Sequence, residues 1–265
     1  MQRHERWTTL LRMLTTDGRI EIDEAAARLS VSTATIRRDL DELALQEVLV
    51  RTRGGAMPHS VAYELPLRYK ATQRADEKQA IARAVVHLVP PGAVVAMNGG
   101  TTSTEVARTL STRTDGAERN NSHDPTIMIV TNALNIAHEM AVRPQVKLVL
   151  TGGVCRPQSY ELIGPLATPV LEQITLDVAI LGVNAISVDA GACAHHEGEA
   201  AINQLMAKRA HQVIVIADST KLGRHAFARI CSVDEIDVIV TDDQADNRQV
   251  ADLEDAGVRV VLASR

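Results

Sequence analysis

The sequence predicts an α/β protein in two folded parts. A small winged helix-turn-helix unit is followed by a larger α/β domain built on a mostly parallel sheet. Three observations carry this prediction. Amphipathic helices separated by tight turns lead into an arginine-bearing hairpin with a Gly-Gly turn. A proline-flanked stretch without sustained periodicity comes next. Short β-branched runs then alternate with helical stretches to the end of the chain, the pattern of βαβ units.

The first helix is expected over Arg6–Thr15, with Trp7, Leu10, Leu11 and Leu14 facing inward and Gly18 as its break. Ile20, Ile22, Ala25, Ala26 and Leu29 form the next apolar-periodic segment, with Asp23 or Glu24 near its start. Ser30-Val31 is a tight connection into the run VSTATIRRDLDEL, Val31–Leu43. There Ile36, Leu40 and Leu43 recur at i, i+4 and i+7 and mark the buried stripe. At roughly 100° per residue, Ala34 and Arg38 point away from that stripe while Thr35 and Arg37 flank it. Ser32 or Thr33 can cap the first turn.

An arginine pair on an isolated helix is ordinarily a solvated face. The helix before this one changes that reading, because the order and lengths are those of a helix-turn-helix. Val48–Ala56 then alternates apolar and polar residues before meeting Gly54 and Gly55. It reads as a β-wing that sets Arg51 and Arg53 beside the helix, where phosphates of a duplex would lie. The candidate DNA-reading residues are therefore Ser32, Thr33, Thr35, Arg37 and Arg38 in the major groove, with Arg51 and Arg53 on the backbone. Arg38 is the outward reader; Arg37, nearer the stripe, holds the backbone.

Composition bounds the partners. A chain of 265 residues with 45% hydrophobic content can bury one small and one larger core. A net charge of -5 excludes a generally basic nucleic-acid coat, so DNA affinity must come from a local patch. Aromatic residues make up only 2%, which disfavours stacking on single strands, and Tyr63 and Tyr69 fall in the linker. Cys155, Cys193 and Cys231 are far apart and show no CxxC, as expected of reduced thiols in a cytoplasmic protein. No secretory signal and no membrane-length apolar run is read.

The winged unit is assigned to residues 1–57, the linker to 58–75 and the second domain to 76–265. A helix from Asp76 runs through Ile81, Ala82, Val85 and Leu88 to Pro90-Pro91. The expected strands are Ala93–Met97, Ile127–Thr131, Val146–Leu150, Val178–Gly182, Val213–Ala217, Val238–Thr241 and Val258–Leu262. Thr114–Pro125 reads as an exposed loop with the composition of a disordered insertion.

Ligands of open α/β sheets bind outside the carboxyl ends of the strands, and the most unusual loops fall there. Asn98-Gly99-Gly100-Thr101-Thr102-Ser103 follows a strand and opens a helix. Glycines admit an anion, hydroxyls donate to it, and a helix N-terminus supplies free N–H groups and a favourable dipole. The loop is neither a Walker A nor a GxGxxG fingerprint, and a turn that needs glycine for geometry alone is the competing reading. Gly152, Gly153 and Glu161 follow the next strand but one, and Asp218-Ser219-Thr220-Lys221 follows a later strand. Lys221 would add positive charge to a phosphate site or stand as a surface lysine. Asp242-Asp243 is read as a cap or turn. His195-His196-Glu197 lacks the spacing of a metal site and is read as a helix start or a ligand-facing loop. No metal, cofactor or catalytic residue is assigned; a Ser-His-Asp arrangement at Ser159 or Ser219 has no elbow motif.

VSTATIRRDLDEL and RTRGGA (Arg51–Ala56) resemble the winged helix-turn-helix of the deoxyribose-operon repressor (DeoR) family of bacterial regulators. The second domain resembles that family's effector domain through DEKQAIA, GGTTS, VTNALNIA, the TGG run with Ser159 and Gly164, and ADSTKLG. The resemblance implies a fold related to ribose-5-phosphate isomerase and coenzyme A transferases. It also implies a phosphorylated sugar or related metabolite, with Gly100, Thr101 and Thr102 on the phosphate and Lys221 close by. Three departures are plain: Asn98 stands where members often carry an acid, the phenylalanines that members tend to carry in the linker and in the strand around Ala179 are absent, and the Thr114–Pro125 insertion is long. The implied function is a repressor of a carbohydrate operon that binds double-stranded DNA as an even homo-oligomer, not an enzyme. The alternative is a sugar-phosphate isomerase or deaminase with an appended DNA-binding unit, against which Asn98 speaks.

Overall fold

The computed structural model describes residues 2–46, 48–58, 67–70, 73–113 and 126–264. The expected Thr114–Pro125 insertion, Tyr63 and most of the linker therefore lie outside the described residues. The chain divides into two compact units, Met1–Gln73 and Arg74–Arg265.

In the first unit, helix α1 spans Arg3–Asp17 and ends at Gly18, whose backbone N–H returns to Leu14 O. Strand β1 is Ile20–Glu21, α2 is Ile22–Leu29 and α3 is Thr33–Leu45. Ile20 was expected to open the second helix; it instead pairs with Ala56 in a sheet of order β1-β3-β2, where β2 is Val50–Arg51 and β3 is Gly55–Met57. Pairing with the wing satisfies its backbone more fully than a fraying helix end would. A four-residue helix, α4 (Leu67–Lys70), closes the described part of the unit.

Trp7, Leu10, Leu11, Leu14, Ile36, Leu40 and Leu43 form one core, as their spacing requires. Burying one leucine of this set is worth about 1.5–3 kcal/mol. Val48 and Leu49 are both buried and Val50 is exposed, so burial in the wing does not follow the alternation of its sequence.

The second unit opens with α5 (Ala75–Val86). It continues through β4 (Val94–Met97), α6 (Thr101–Ser111), β5 (Ile127–Thr131), α7 (Leu134–Met140) and β6 (Val146–Leu150). A hairpin of β7 (Val154–Arg156) and β8 (Glu161–Ile163) precedes α8 (Thr168–Glu172) and β9 (Leu176–Gly182). Strands β10 (Ala185–Ser187) and β11 (Gly191–Ala194) lead to α9 (Glu197–Arg209) and β12 (Ala210–Ile216). The chain then forms β13 (Ala228–Cys231), β14 (Val238–Asp242), α10 (Asn247–Asp255) and β15 (Arg259–Ala263).

All seven expected runs become strands of one sheet of order β15-β14-β12-β9-β4-β5-β6, and every pairing in it is parallel. Alternate residues face opposite cores. Val95, Met97, Val178, Ile180, Ile214 and Ile216 pack with α5, α6 and α7. Ala96, Ala179, Leu181, Val213 and Val215 pack with α8, α9 and α10. The short antiparallel strands β7, β8, β10, β11 and β13 were not expected. They are too brief for periodicity to separate from loop. Among the described residues no helix is long and apolar enough to cross a membrane.

Candidate functional site

Two sets of residues carry chemistry, one in each unit. In the first, Ser32 rather than Thr33 caps α3: its side-chain oxygen accepts from Thr35 N at 3.1 Å, and the two hydroxyls pair at 2.9 Å. The helix presents Thr33, Ala34, Arg37 and Arg38 to solvent, with Thr35 half-buried. Arg37 does not lean on the core as its angular position suggested; it is exposed, like Arg38.

Asp39 sets the roll of α3. It is buried, and its carboxylate accepts from Trp7 Nε1 at 2.9 Å and from Arg6 Nη2 at 3.0 Å, with Arg6 Nε also bonded to it. The sequence reading missed this residue. Its signal was an acid three positions after Ile36, on the edge of the apolar stripe, where a charge is retained only if paired.

The two wing arginines separate. Arg51 is half-buried; its Nε donates to Asp41 Oδ1 at 2.7 Å and its Nη1 donates to Gly55 O. Arg53 is exposed and, like Arg37 and Arg38, has no ion pair or hydrogen bond shown among the described residues.

In the second unit the carboxyl ends of neighbouring strands gather the expected loops. Gly100 is the N-cap of α6 at φ +128°, which glycine adopts without strain, and no side chain caps the helix. The N–H groups of that first turn are thus left for another acceptor. Thr102 is buried and Thr101 half-buried.

Asn98 turns inward, onto β9. Its Nδ2 donates to Gly182 O at 2.8 Å, and its Oδ1 accepts from Gly182 N at 2.7 Å. It therefore stitches β4 to β9, a role the expected ligand contact did not anticipate. A methyl on Gly99 would come within 2.5 Å of Glu161 Oε1, which places the buried Glu161 against the glycine loop. Asn132 Nδ2 donates to Glu161 from the other side at 3.4 Å.

Lys221 arrives from the end of β12, and its Nζ donates to Val183 O at 2.6 Å, one residue beyond the Asn98 contact. Glycines 152 and 153 carry the chain from β6 into β7, with Gly153 against the backbone of Ile163. They serve the β7–β8 hairpin.

Arg74 is the functional candidate that sequence reasoning passed over. It stands at the N-cap of α5 with φ +51°, a left-handed conformation costly for arginine. Its Nη2 lies 3.0 Å from Ser219 Oγ, 3.1 Å from Asp242 Oδ1 and 3.3 Å from Gln244 Oε1, and its Nε is 3.7 Å from Asp218 Oδ1. A cation at a helix N-terminus opposes the helix dipole, and that mismatch was the available signal. Asp242 also accepts from Ser219 N at 2.7 Å and Gln244 N at 3.2 Å, so it ends β14, caps the turn that follows, and is an ion-pair partner besides. Burial works to raise the Asp218 carboxyl, but Lys221, Thr220 and Arg74 outweigh it and hold it below the ordinary aspartate range.

His196 caps α9, accepting from Gly198 N at 3.1 Å, in keeping with the helix-start reading. No cluster of metal-ligating side chains occurs among the described residues. Cys231 is a buried thiol pushed up to about 12, by desolvation first and by Glu235 second.

Comparison with known proteins fits both sets into one chain. Residues 6–60 match the DeoR-like helix-turn-helix domain, and residues 73–243 match the DeoR C terminal sensor domain. The HTH-type transcriptional regulator GlpR of Haloferax volcanii is 37% identical over 246 residues, 92% of this chain and 91% of that protein. A glycerol-3-phosphate regulon repressor of Escherichia coli is 29% identical over 242 residues, 91% of this chain and 92% of that protein. Among solved structures, ribose 5-phosphate isomerase A of Methanocaldococcus jannaschii aligns with a TM-score of 0.41 at 18% identity, over 56% of this chain and 55% of that one.

Proposed function

The chain belongs to the DeoR family of DNA-binding transcription regulators, and from that premise we propose that it represses a carbohydrate operon and releases it when a phosphorylated sugar or polyol binds. The observation that carries the proposal is the uncapped N-terminus of α6, with its Gly-Gly-Thr-Thr sequence at the carboxyl edge of a parallel sheet and Lys221 on the neighbouring loop. Oriented N–H groups, a helix dipole and an ammonium are the donor set a phosphate monoester requires. Relatives of similar length are transcription regulators, among them one named for a glycerol 3-phosphate regulon. That supports regulation over the enzymatic alternative, and the inward-bonded Asn98 offers no general base.

On DNA, the exposed N-terminal half of α3 enters the major groove, with Arg38 and Arg37 reaching base edges and Arg53 on phosphates. Such units read paired half-sites about 34–36 Å apart or a multiple of that, so the working species is an even homo-oligomer. Control is thermodynamic linkage. A ligand that prefers the low-affinity arrangement weakens operator binding by the coupling free energy, typically about 1–3 kcal/mol. Arg74, the first residue of the sensor unit, ties the Asp218–Lys221 loop to the start of α5 and is the positioning residue in that linkage.

A thermal-shift screen against phosphorylated sugars and polyols, repeated with Lys221→Ala, tests the reading. A stabilising hit lost in the variant supports it. A hit retained at full strength in the variant removes Lys221 and the α6 loop from the ligand site.

A further inference from the structure

The short ladder joining residues 132–134 to 160–162 lies against the glycine loop and carries buried oxygens without hydrogen-bond partners. Leu162 N donates to Asn132 O at 2.7 Å, Leu134 N donates to Tyr160 O at 2.9 Å, and Ala133 bridges to Glu161 between them. Two side chains fasten this ladder to the loop. Asn135 Nδ2 donates to Thr104 Oγ1 at 2.8 Å, in the first turns of α6, and Glu161 packs on Gly99.

Among the described residues, the side-chain oxygens of Asn132, Asn135 and Ser159 are buried and have no hydrogen-bond partner. Asn132 is 0% exposed and Ser159 9%. An unpartnered buried polar atom is expensive; of those among the described residues, Arg74, Asn203 and Thr241 are scattered, while Asn132, Asn135 and Ser159 cluster in and beside this one ladder.

The chemistry of these atoms fixes what they can receive. Asn132 Nδ2 donates to Leu162 O at 3.2 Å and to Glu161 Oε2 at 3.4 Å, and Asn135 Nδ2 donates to Thr104. What remains are the two asparagine carbonyl oxygens, which only accept, and the Ser159 hydroxyl, which can accept or donate. The carboxylate of Glu161 beside Gly99 has the same polarity. Phosphate oxygens are acceptors too and are repelled by such a wall; hydroxyl or amine groups donate to it. The two sides of the loop are thus opposite in kind, donors at the α6 terminus and acceptors on the ladder.

We propose that Asn132, Asn135 and Ser159 form the hydroxyl-recognising half of the sensor site. They take the O–H groups of a polyol or sugar chain whose phosphate rests on the N-terminus of α6. The proposal rests on the phosphate reading above and adds the polarity and the residues that distinguish a polyol phosphate from any other phosphate monoester.

The test uses the full-length chain and titration calorimetry with four probes: inorganic phosphate, ethyl phosphate, glycerol 3-phosphate and fructose 1-phosphate. At least one polyol phosphate is expected to bind about tenfold more tightly than ethyl phosphate, the gain of one to two well-made hydrogen bonds. Ser159→Ala and Asn132→Ser should each cut that preference several-fold and leave inorganic phosphate unchanged. Ser159→Ala should also melt no lower than the parent, because it deletes an unpartnered hydroxyl, which separates a recognition defect from a folding defect. Equal affinity for ethyl phosphate and both polyol phosphates, or an undiminished preference in both variants, overturns the acceptor subsite and leaves the phosphate site standing. Failure of every probe to bind overturns the phosphate reading and the subsite together.

Discussion

The arginines of α3 and the arginine that opens α5 do opposite things with the same side chain. Arg37 and Arg38 are exposed, with no ion pair or hydrogen bond shown among the described residues. Arg74 is clasped by Ser219, Asp242, Gln244 and Asp218. On the proposed function, the difference follows from the size of what each region binds. A DNA duplex brings its own dense array of acceptors, so the protein keeps its donors solvated until the partner arrives. A small metabolite supplies few contacts, so the protein must order the receiving loops beforehand, and Arg74 spends its charge on that. Recognition in one unit is carried by groups left uncommitted, in the other by groups held in place.

The largest effect should come from removing order where the DNA-reading unit needs it. Asp39→Ala strands the Arg6 guanidinium and the Trp7 N–H against α3, and breaking such a pair costs about 3–5 kcal/mol. We expect an early unfolding transition assigned to the first unit and loss of DNA binding. The transition of the sensor unit should not move. A single unshifted transition in calorimetry would mean that the Asp39 contacts do not orient the helix.

Next in size is the loss of an uncommitted donor. Arg38→Ala should weaken specific DNA binding by about 1–3 kcal/mol without altering thermal stability. Arg51→Ala should cost less in affinity than Arg53→Ala, because the Arg51 guanidinium is already engaged with Asp41 and Gly55. Binding measured across a salt series checks this. A larger slope change for Arg51→Ala than for Arg53→Ala would reverse the assignment of the wing.

The smallest effect is electrostatic and lies in the sensor unit. The Asp218 carboxyl is held below its ordinary value in the folded state. Its contribution to stability is therefore full above the unfolded aspartate value and is lost as pH falls through the lower folded value. Melting temperatures followed below about pH 4 should drop as that carboxylate is protonated. Arg74→Ala, which removes one of the charges that hold it down, should bring the drop to higher pH. An acid limb that does not move in the variant would detach Arg74 from Asp218.

What the sequence made legible follows from period. Ile36, Leu40 and Leu43 placed the recognition helix, and all seven strand runs entered the main sheet because buried parallel strands are continuous apolar runs. The glycine loop was legible because two glycines followed by hydroxyl residues lie between a strand run and an apolar-periodic helix. Contacts between residues distant in the chain left no such trace. Arg74 reaches Asp242 across 168 positions and Asn98 reaches Gly182 across 84, so neither the clasp nor the stitch has a local signature. The same holds for β7, β8, β10, β11 and β13, whose pairing depends on partners elsewhere and not on their own few residues. Ile20 failed for a related reason: its apolar spacing suited a helix, but the wing offered a ladder.

On the proposed function, occupancy of the α6 loop sets DNA affinity. Fluorescence anisotropy of the full-length chain on a DNA site selected from random sequence, titrated with polyol and sugar phosphates, tests it most directly. At least one such ligand should weaken binding about 5- to 150-fold, and Lys221→Ala, still bound to the same DNA, should no longer respond. An unchanged affinity across the whole panel, or an undiminished response in Lys221→Ala, would contradict it.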